Sequence, residues 1–169
     1  TTRPGSSNEH RIAGHFRKVL ENCMNNLVPA IWLDTRQMRG VIAEEFYLGD
    51  YPNDPDFSQL EHPPEPLPPA WYDGKLDEAD RLLLYGQQFA SCVTAAQPRD
   101  VAAMLRSTPR SLMERAAINQ LMPSFGPCLD KGKSMQLDAA WLRAVVADAL
   151  YRSVKRWQSV TAVAKEGGN

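Results

Sequence analysis

The sequence has no long apolar run and no cluster of basic residues. Its longest apolar stretches are far shorter than the roughly 18 residues that a membrane-spanning helix needs. The 169-residue chain has a net charge of −1, and its lysines and arginines form no long run, whereas nucleic-acid-binding surfaces concentrate them. The composition therefore argues against a transmembrane segment and against binding to DNA or RNA.

Motifs of the common catalytic and cofactor sites are also missing. The chain holds no glycine-rich phosphate loop, no His-Glu-x-x-His and no nucleophile elbow. Its three histidines, His10, His15 and His62, are not accompanied by a serine or cysteine nucleophile motif, so they do not indicate a catalytic triad. We therefore expect no catalytic residue, no cofactor and no metal ligand, although the sequence leaves open an enzyme assembled from scattered residues.

No segment alternates β-branched and polar residues as a half-buried strand does. With 43% apolar and 23% charged residues, the composition is that of an ordinary globular protein. A chain of 169 residues can build one core without a metal or disulfide. We predict a single all-α domain over residues 1–169.

The sequence does contain an internal repeat. An offset of 105 aligns Cys23 with Cys128, an offset of 104 aligns 33–47 with 137–151, and an offset of 36 aligns Cys92 with Cys128. Similarity at fixed spacing indicates stacked supersecondary units. We predict about six helices in a compact right-angled or solenoid-like stack of three helix-loop-helix units, at 6–48, 75–107 and 111–166.

Apolar residues spaced three and four apart place the helices of the first two units. One helix follows a capping box that starts at Ser6, and another follows Asp34 and stops at Gly49. The middle unit has a helix over 76–93 and then a short helix that begins near Pro98.

The third unit has two predicted helices. The first begins at the capping box formed by Ser111 and Glu114 and ends at Met122, because Pro123 follows. The second begins after Asp138 and runs to the Gly-Gly pair near the C-terminus.

The three cysteines, Cys23, Cys92 and Cys128, each lie where a predicted helix meets a loop. Free cysteine is among the most buried residue types, so each can be a small apolar side chain. A single disulfide between two equivalent positions is an alternative, if their helices are neighbours. A three-thiolate metal site is another, although the spacing typical of zinc sites is absent.

Charged residues recur at matched positions of the first and third units. Arg39 matches Arg143, and Glu44 matches Asp148. We interpret them as helix-surface residues and not as acid–base catalysts. The arginines are expected to face solvent, and Asp148 is expected to pair with Arg152 four residues later.

Two further matched pairs also have structural interpretations. Asp34 and Asp138 are expected to cap the helices that follow them. Tyr47 and Tyr151 are each expected to bury the ring and bond the hydroxyl to a loop, and not to act as proton donors.

Residues 49–74 form an insert of different character after the first unit. They contain seven prolines, six acidic residues and no Lys or Arg. Proline lacks a backbone donor, so the run HPPEPLPPAW is extended or polyproline II. The insert is either a strap whose aromatic residues pack over the helices or an exposed segment that binds a partner.

The last helix continues its apolar stripe past Tyr151, beyond any counterpart in the first unit. This stripe either packs within the monomer or meets a partner helix, which would make a homodimer through the C-terminal helix. The candidate partner-binding residues on the insert and this helix are Tyr51, Phe57, Trp71, Tyr72 and Trp157.

The successive segments FASCV, MLRSTP, SFGPCL and LRAVVADALYR, within residues 85–152, resemble uncharacterised small helical proteins of bacteria that are often predicted to be exported. The resemblance implies a periplasmic or secreted location and no assigned activity. The polar start TTRPGSSN is also what remains after a signal peptide is cleaved, although a trimmed or disordered start would look the same. A cytoplasmic location is the alternative.

Repeats of this kind mostly form binding surfaces. We therefore predict a protein- or peptide-binding module without catalytic activity. The alternative is an exported small-ligand-binding protein or enzyme with a pocket between the repeats. A pocket of a few hundred Å³ with converging polar groups would favour the alternative, and an exposed apolar patch over a filled core would favour the first.

Overall fold

Five α-helices form the part of the chain that the structure describes. The computed structural model describes residues 35–60, 78–132 and 137–166 and the single positions 11, 14, 76 and 135. No strand occurs among them, which confirms the all-α prediction, and none of these helices is long and apolar enough to cross a bilayer. The helices are α1 (Thr35–Asp50), α2 (Glu78–Ala96), α3 (Pro98–Arg106), α4 (Leu112–Cys128) and α5 (Ala139–Glu166), with a 3₁₀ turn at Phe57–Gln59. The helix predicted after Ser6 lies outside the described residues.

Helix α5 lies at the centre of the described fold. It contacts α1, α2 and α3, and every residue from 142 to 150 is buried. A helix that is covered on most sides must bury more than one face, so it needs apolar or internally paired residues nearly all round. The largest fully buried side chains of the core are Tyr47, Phe89, Met104, Leu105, Leu121, Leu142 and Leu150.

Helices α1 and α5 run parallel and touch at their backbones. A Cβ atom on Gly40 would overlap the Cα of Ala144. Further along the pair, the rings of Phe46 and Tyr151 stack with centroids 5.8 Å apart. Positions 40 and 144 are equivalent under the offset of 104, so the two helices meet at matched residues.

Local capping signals place the starts of α4 and α5 as predicted. Ser111 Oγ accepts a hydrogen bond from the Glu114 backbone N–H at 3.1 Å. Asp138 Oδ1 accepts one from the Trp141 backbone N–H at 2.9 Å. In both cases an N-cap side chain satisfies a donor that the helix itself leaves without a partner.

The predicted end of the third unit's first helix at Met122 is wrong, because α4 continues through Pro123 to Cys128. An internal proline removes one helical hydrogen bond and crowds the preceding turn. Tertiary contacts offset this cost: Phe125 packs edge-on against Phe89 with centroids 5.5 Å apart, and a disulfide holds the end of the helix.

Cys92 and Cys128 form a disulfide that joins α2 to the end of α4, with their Cα atoms 5.6 Å apart. Of the three alternatives for the cysteines, the structure selects the disulfide between equivalent positions, and Cys23 lies outside the described residues. The bridge closes a loop with a sequence separation of 36.

We expect removal of the bridge in a Cys92→Ser, Cys128→Ser variant to lower the free energy of unfolding by roughly 2 to 4 kcal/mol, because the unfolded chain gains conformational freedom. Urea unfolding of both proteins, with and without dithiothreitol, measures the effect. Dithiothreitol should destabilise the wild type alone. Equal stability of the two proteins without reductant would contradict the expectation.

Candidate functional site

A cavity of about 510 Å³ opens between α1 and the N-terminal ends of α4 and α5. Two side chains from α1 carry carboxylates, and the first two turns of α5 supply small apolar walls. The third wall is the turn before α4. The lining residues are Val41, Glu44, Glu45, Pro109, Arg110, Glu114, Asp138, Ala139, Ala140, Arg143 and Ala144.

A buried arginine forms the floor of the cavity. Arg143 donates to both carboxylate oxygens of Glu44, at 2.8 and 2.6 Å, and to Glu114 Oε1 at 2.9 Å. Three backbone carbonyls at the end of α3, those of Met104, Leu105 and Ser107, accept further hydrogen bonds from it. Burial acts to lower the pKa of Arg143, but its hydrogen bonds to the carboxylates of Glu44 and Glu114 outweigh burial and raise that pKa above its ordinary value.

The prediction that Arg143 faces solvent is wrong, because only 6% of the residue is exposed. Arg39, its matched residue, also turns towards the partner helix: its Nε lies 3.0 Å from Asp148 Oδ1. The two pairs are related by the repeat. Each arginine pairs with the acidic residue that lies five positions after the matched arginine on the other helix. Interhelical ion pairs of this kind are typical of side chains that flank the seam between two parallel helices.

The second ion cluster is complementary to the first. Asp148 accepts from Arg152 Nε at 3.1 Å, which confirms the predicted pair four residues apart, and it also faces Arg39. Arg152 reaches the buried Gln87 on α2 at 3.0 Å. One cluster thus surrounds an arginine with two carboxylates, and the other surrounds a carboxylate with two guanidinium groups.

The turn before α4 holds Arg110 in an unusual backbone conformation. The Ser111 N–H donates to the Thr108 carbonyl at 3.1 Å, and Arg110, the third residue of this turn, has a φ of 62°. A turn with Pro109 at its second position and a positive φ at its third is of the type that favours glycine there. Glu114 Oε2 accepts the Arg110 backbone N–H at 2.6 Å.

The charged side chains at the mouth of the cavity retain binding capacity. Glu45 and Arg110 are exposed, and within the described part of the chain neither side chain takes part in a hydrogen bond or ion pair. Asp138 uses Oδ1 for the helix cap and is exposed. On the floor, Arg143 already pairs with Glu44 and Glu114. Glu45, Arg110 and Asp138 are therefore the charged residues that can bind a ligand.

The predicted partner-binding residues lie away from this cavity. Tyr51 is buried, and its hydroxyl donates to Gln158 at 2.7 Å. Phe57 is buried in the 3₁₀ turn, so neither ring is exposed to a partner, and both pack as the strap interpretation expects. Trp157 is half-buried on α5. The remaining two, Trp71 and Tyr72, lie outside the described residues.

A polar cluster fixes the start of the insert to the helices. The buried Tyr47 donates its hydroxyl to Asp54 at 2.9 Å, as predicted for a ring with its hydroxyl bonded to a loop. Arg106 donates twice to the same carboxylate, at 2.9 and 2.6 Å. Burial, followed by the hydrogen bond to Asp54, raises the pKa of Tyr47 well above its ordinary value. Tyr151 differs, because its hydroxyl bonds Asp50 within α1 at 3.0 Å.

The described residues contain no group of three or more His, Cys, Asp or Glu side chains arranged to hold a metal ion. Comparison with known proteins gives no further lead: no protein family, no curated protein and no solved structure matches the chain.

Sequence reasoning did not select the cavity residues Val41, Glu45 and Arg110. Their nearest signal is the order Thr-Pro-Arg before the capping box at Ser111, in which a residue other than glycine follows the proline of a turn. That signal is weak, because many turns with proline at the second position need no positive φ.

Proposed function

We propose that the protein binds a small ligand in the cavity between α1 and the starts of α4 and α5, without catalysing a reaction. The observation that carries this proposal is the cavity itself. Its volume of about 510 Å³ is within the range of known ligand pockets, roughly 300 to 1,000 Å³, which combine apolar walls with a few polar groups. A small-ligand-binding protein was the alternative that the sequence left open.

We also propose that the chain consists of three repeat units. The cavity would then lie between the first and third units. Two observations support it. Gly40 and Ala144, equivalent under the offset of 104, meet where α1 and α5 touch. The disulfide between Cys92 and Cys128 spans 36 residues, the offset that relates the second unit to the third.

We also propose that the protein is periplasmic or secreted. The Cys92–Cys128 disulfide supports this location, because disulfides form and persist mainly in oxidising compartments.

A protein partner is the second candidate, and exposed apolar side chains favour it. Leu112 and Met113 are 78% and 73% exposed, and they begin α4 two and three residues after Arg110. A homodimer through the C-terminal helix, involving Trp157, stays a prediction, as does the absence of nucleic-acid binding.

The cavity proposal can be tested by screening a small-molecule fragment library with amide-detected NMR. We expect shifts at Glu45, Arg110 and Ala140. An Ala140→Phe variant, which fills the cavity from an exposed position, should abolish them. The matched control is Ala116→Phe, because Ala116 is exposed on α4 and does not line the cavity. Fragments that bind Ala140→Phe as well as the wild type would overturn the proposal.

A further inference from the structure

We infer that the cavity selects a zwitterionic ligand, in which an ammonium and a carboxylate are carried on an apolar body, as in a free amino acid or a short peptide. This inference rests on the proposed function and names the chemical class of its ligand.

Arg110 supplies the group that recognises the carboxylate. Its backbone has a φ of 62°, a conformation that costs an L-residue with a Cβ and that glycine adopts freely. The turn alone therefore favours glycine, yet the position carries a long side chain at the mouth of a cavity. A guanidinium binds a carboxylate through two parallel hydrogen bonds. Recognition of a ligand carboxylate would explain why an arginine occupies this strained position.

Glu45 and Asp138 supply the groups that recognise the ammonium. Glu44 and Glu114 already pair with Arg143 on the floor, which leaves these two carboxylates for a ligand. The lining contains four carboxylates and two guanidinium groups, a net charge of −2. This charge disfavours a ligand that is only an anion.

A ligand that is only a cation would leave Arg110 without a partner. A zwitterion gives both kinds of group at the mouth a partner of opposite charge.

The walls between these charges suit an apolar body. Val41, Pro109, Ala139 and Ala140 carry no polar side-chain atoms and line the cavity. The cavity of about 510 Å³ has room for more than one amino-acid residue, so a dipeptide fits as well as a single amino acid.

Four probes that share one branched apolar chain test the charge requirement: leucine, leucyl-leucine, 3-methylbutylamine and 4-methylpentanoate. Calorimetric titration should show that leucine or leucyl-leucine binds at least about tenfold more tightly than the amine and the acid. The tighter of the two zwitterions distinguishes an amino acid from a peptide as the source. If the amine or the acid binds as tightly as the tighter of the two zwitterions, the inference is overturned.

The titration and the NMR fragment screen together distinguish failure of this inference from failure of the proposed function. If none of the four probes binds but uncharged fragments shift the cavity residues in NMR, the cavity binds ligands of another class and the inference is wrong. If neither probes nor fragments reach the cavity, the proposed function fails as well.

Replacing Arg110 with glycine separates a binding role from a structural one. If the side chain recognises the ligand, Arg110→Gly should weaken binding of the zwitterion about tenfold or more. It should also raise Tm by about 2 to 4 °C, because the strain in the turn is relieved. Unchanged binding of leucine and leucyl-leucine by this variant would overturn the inference. Arg115→Ala is the matched control, since Arg115 is exposed on α4 outside the cavity.

Discussion

Replacement of Arg143 with methionine is expected to lower the free energy of unfolding by about 3 to 5 kcal/mol, the usual cost of breaking a buried ion pair from one side. The guanidinium binds two carboxylates and three backbone carbonyls. Only 7% of the Arg143 side chain is exposed, against 15% for Glu44 and 5% for Glu114. Without Arg143, two carboxylates of like charge would face each other with little water to compensate.

Urea unfolding of the Arg143→Met variant measures this effect. An Arg115→Met variant is the control: the residue is exposed, so its loss should change stability by less than about 0.5 kcal/mol. Adding Glu44→Gln and Glu114→Gln to Arg143→Met should recover part of the loss, because the unpaired charges are removed. A loss in Arg143→Met as small as that in the control would show that the cluster contributes little.

Replacement of Gly40 with alanine is expected to cost about 3 kcal/mol or more, an overpacking penalty at the upper end of the usual range. The new Cβ would overlap the backbone of Ala144. Backbone atoms cannot rotate away as a side chain can, so α1 and α5 must separate along their whole contact. The ion pairs between Arg39 and Asp148 and between Arg143 and Glu44 would then lengthen as well.

Two variants serve as comparisons for Gly40→Ala in thermal and urea unfolding. Gly49→Ala should stabilise α1 by about 0.5 to 1 kcal/mol, because alanine is the better helix former and a Cβ there meets no atom within 4 Å. Combining Gly40→Ala with Ala144→Gly should restore little of the loss, because the Cα and carbonyl oxygen of residue 144 would still overlap the new Cβ. Wild-type stability of the Gly40→Ala single variant would contradict the close packing of the two helices.

Signals that act within a few residues were read correctly from the sequence. Asp138 and Ser111 cap their helices, and Pro98 is the first residue of α3, because capping and proline geometry depend on the nearest backbone groups. Pro123 was misread for the same reason: its local effect is to stop a helix, but contacts of Phe125 and Cys128 with α2 outweigh that effect.

The burial of Arg143 depends on residues that are distant in the sequence and could not be predicted from the pattern of its own helix. The periodicity of the last helix predicts one apolar stripe, so Arg143 was placed on the solvent side. The structure surrounds residues 142–150 with other helices, and Glu44 and Glu114, from two distant segments, make the burial of Arg143 tolerable. A repeat alignment lists equivalent residues but does not say which of them meet.

The cavity is a further consequence of long-range packing. Its walls come from residues 41–45, 109–114 and 138–144, three segments that lie far apart in the sequence. The positive φ of Arg110 could not be predicted from the residue type, because the usual signal for such a conformation is a glycine and this position carries an arginine. Side chains selected for their aromatic character, such as Tyr51 and Phe57, instead serve to hold the insert on the helices.

The most direct test of the cavity as a binding site is a crystal structure of the wild-type protein soaked with the tightest-binding fragment from the NMR screen. We predict density for the fragment between Val41, Pro109 and Ala140, with the pairs of Arg143 to Glu44 and Glu114 intact beneath it. A fragment bound elsewhere while the cavity stays closed or empty would contradict the proposed function.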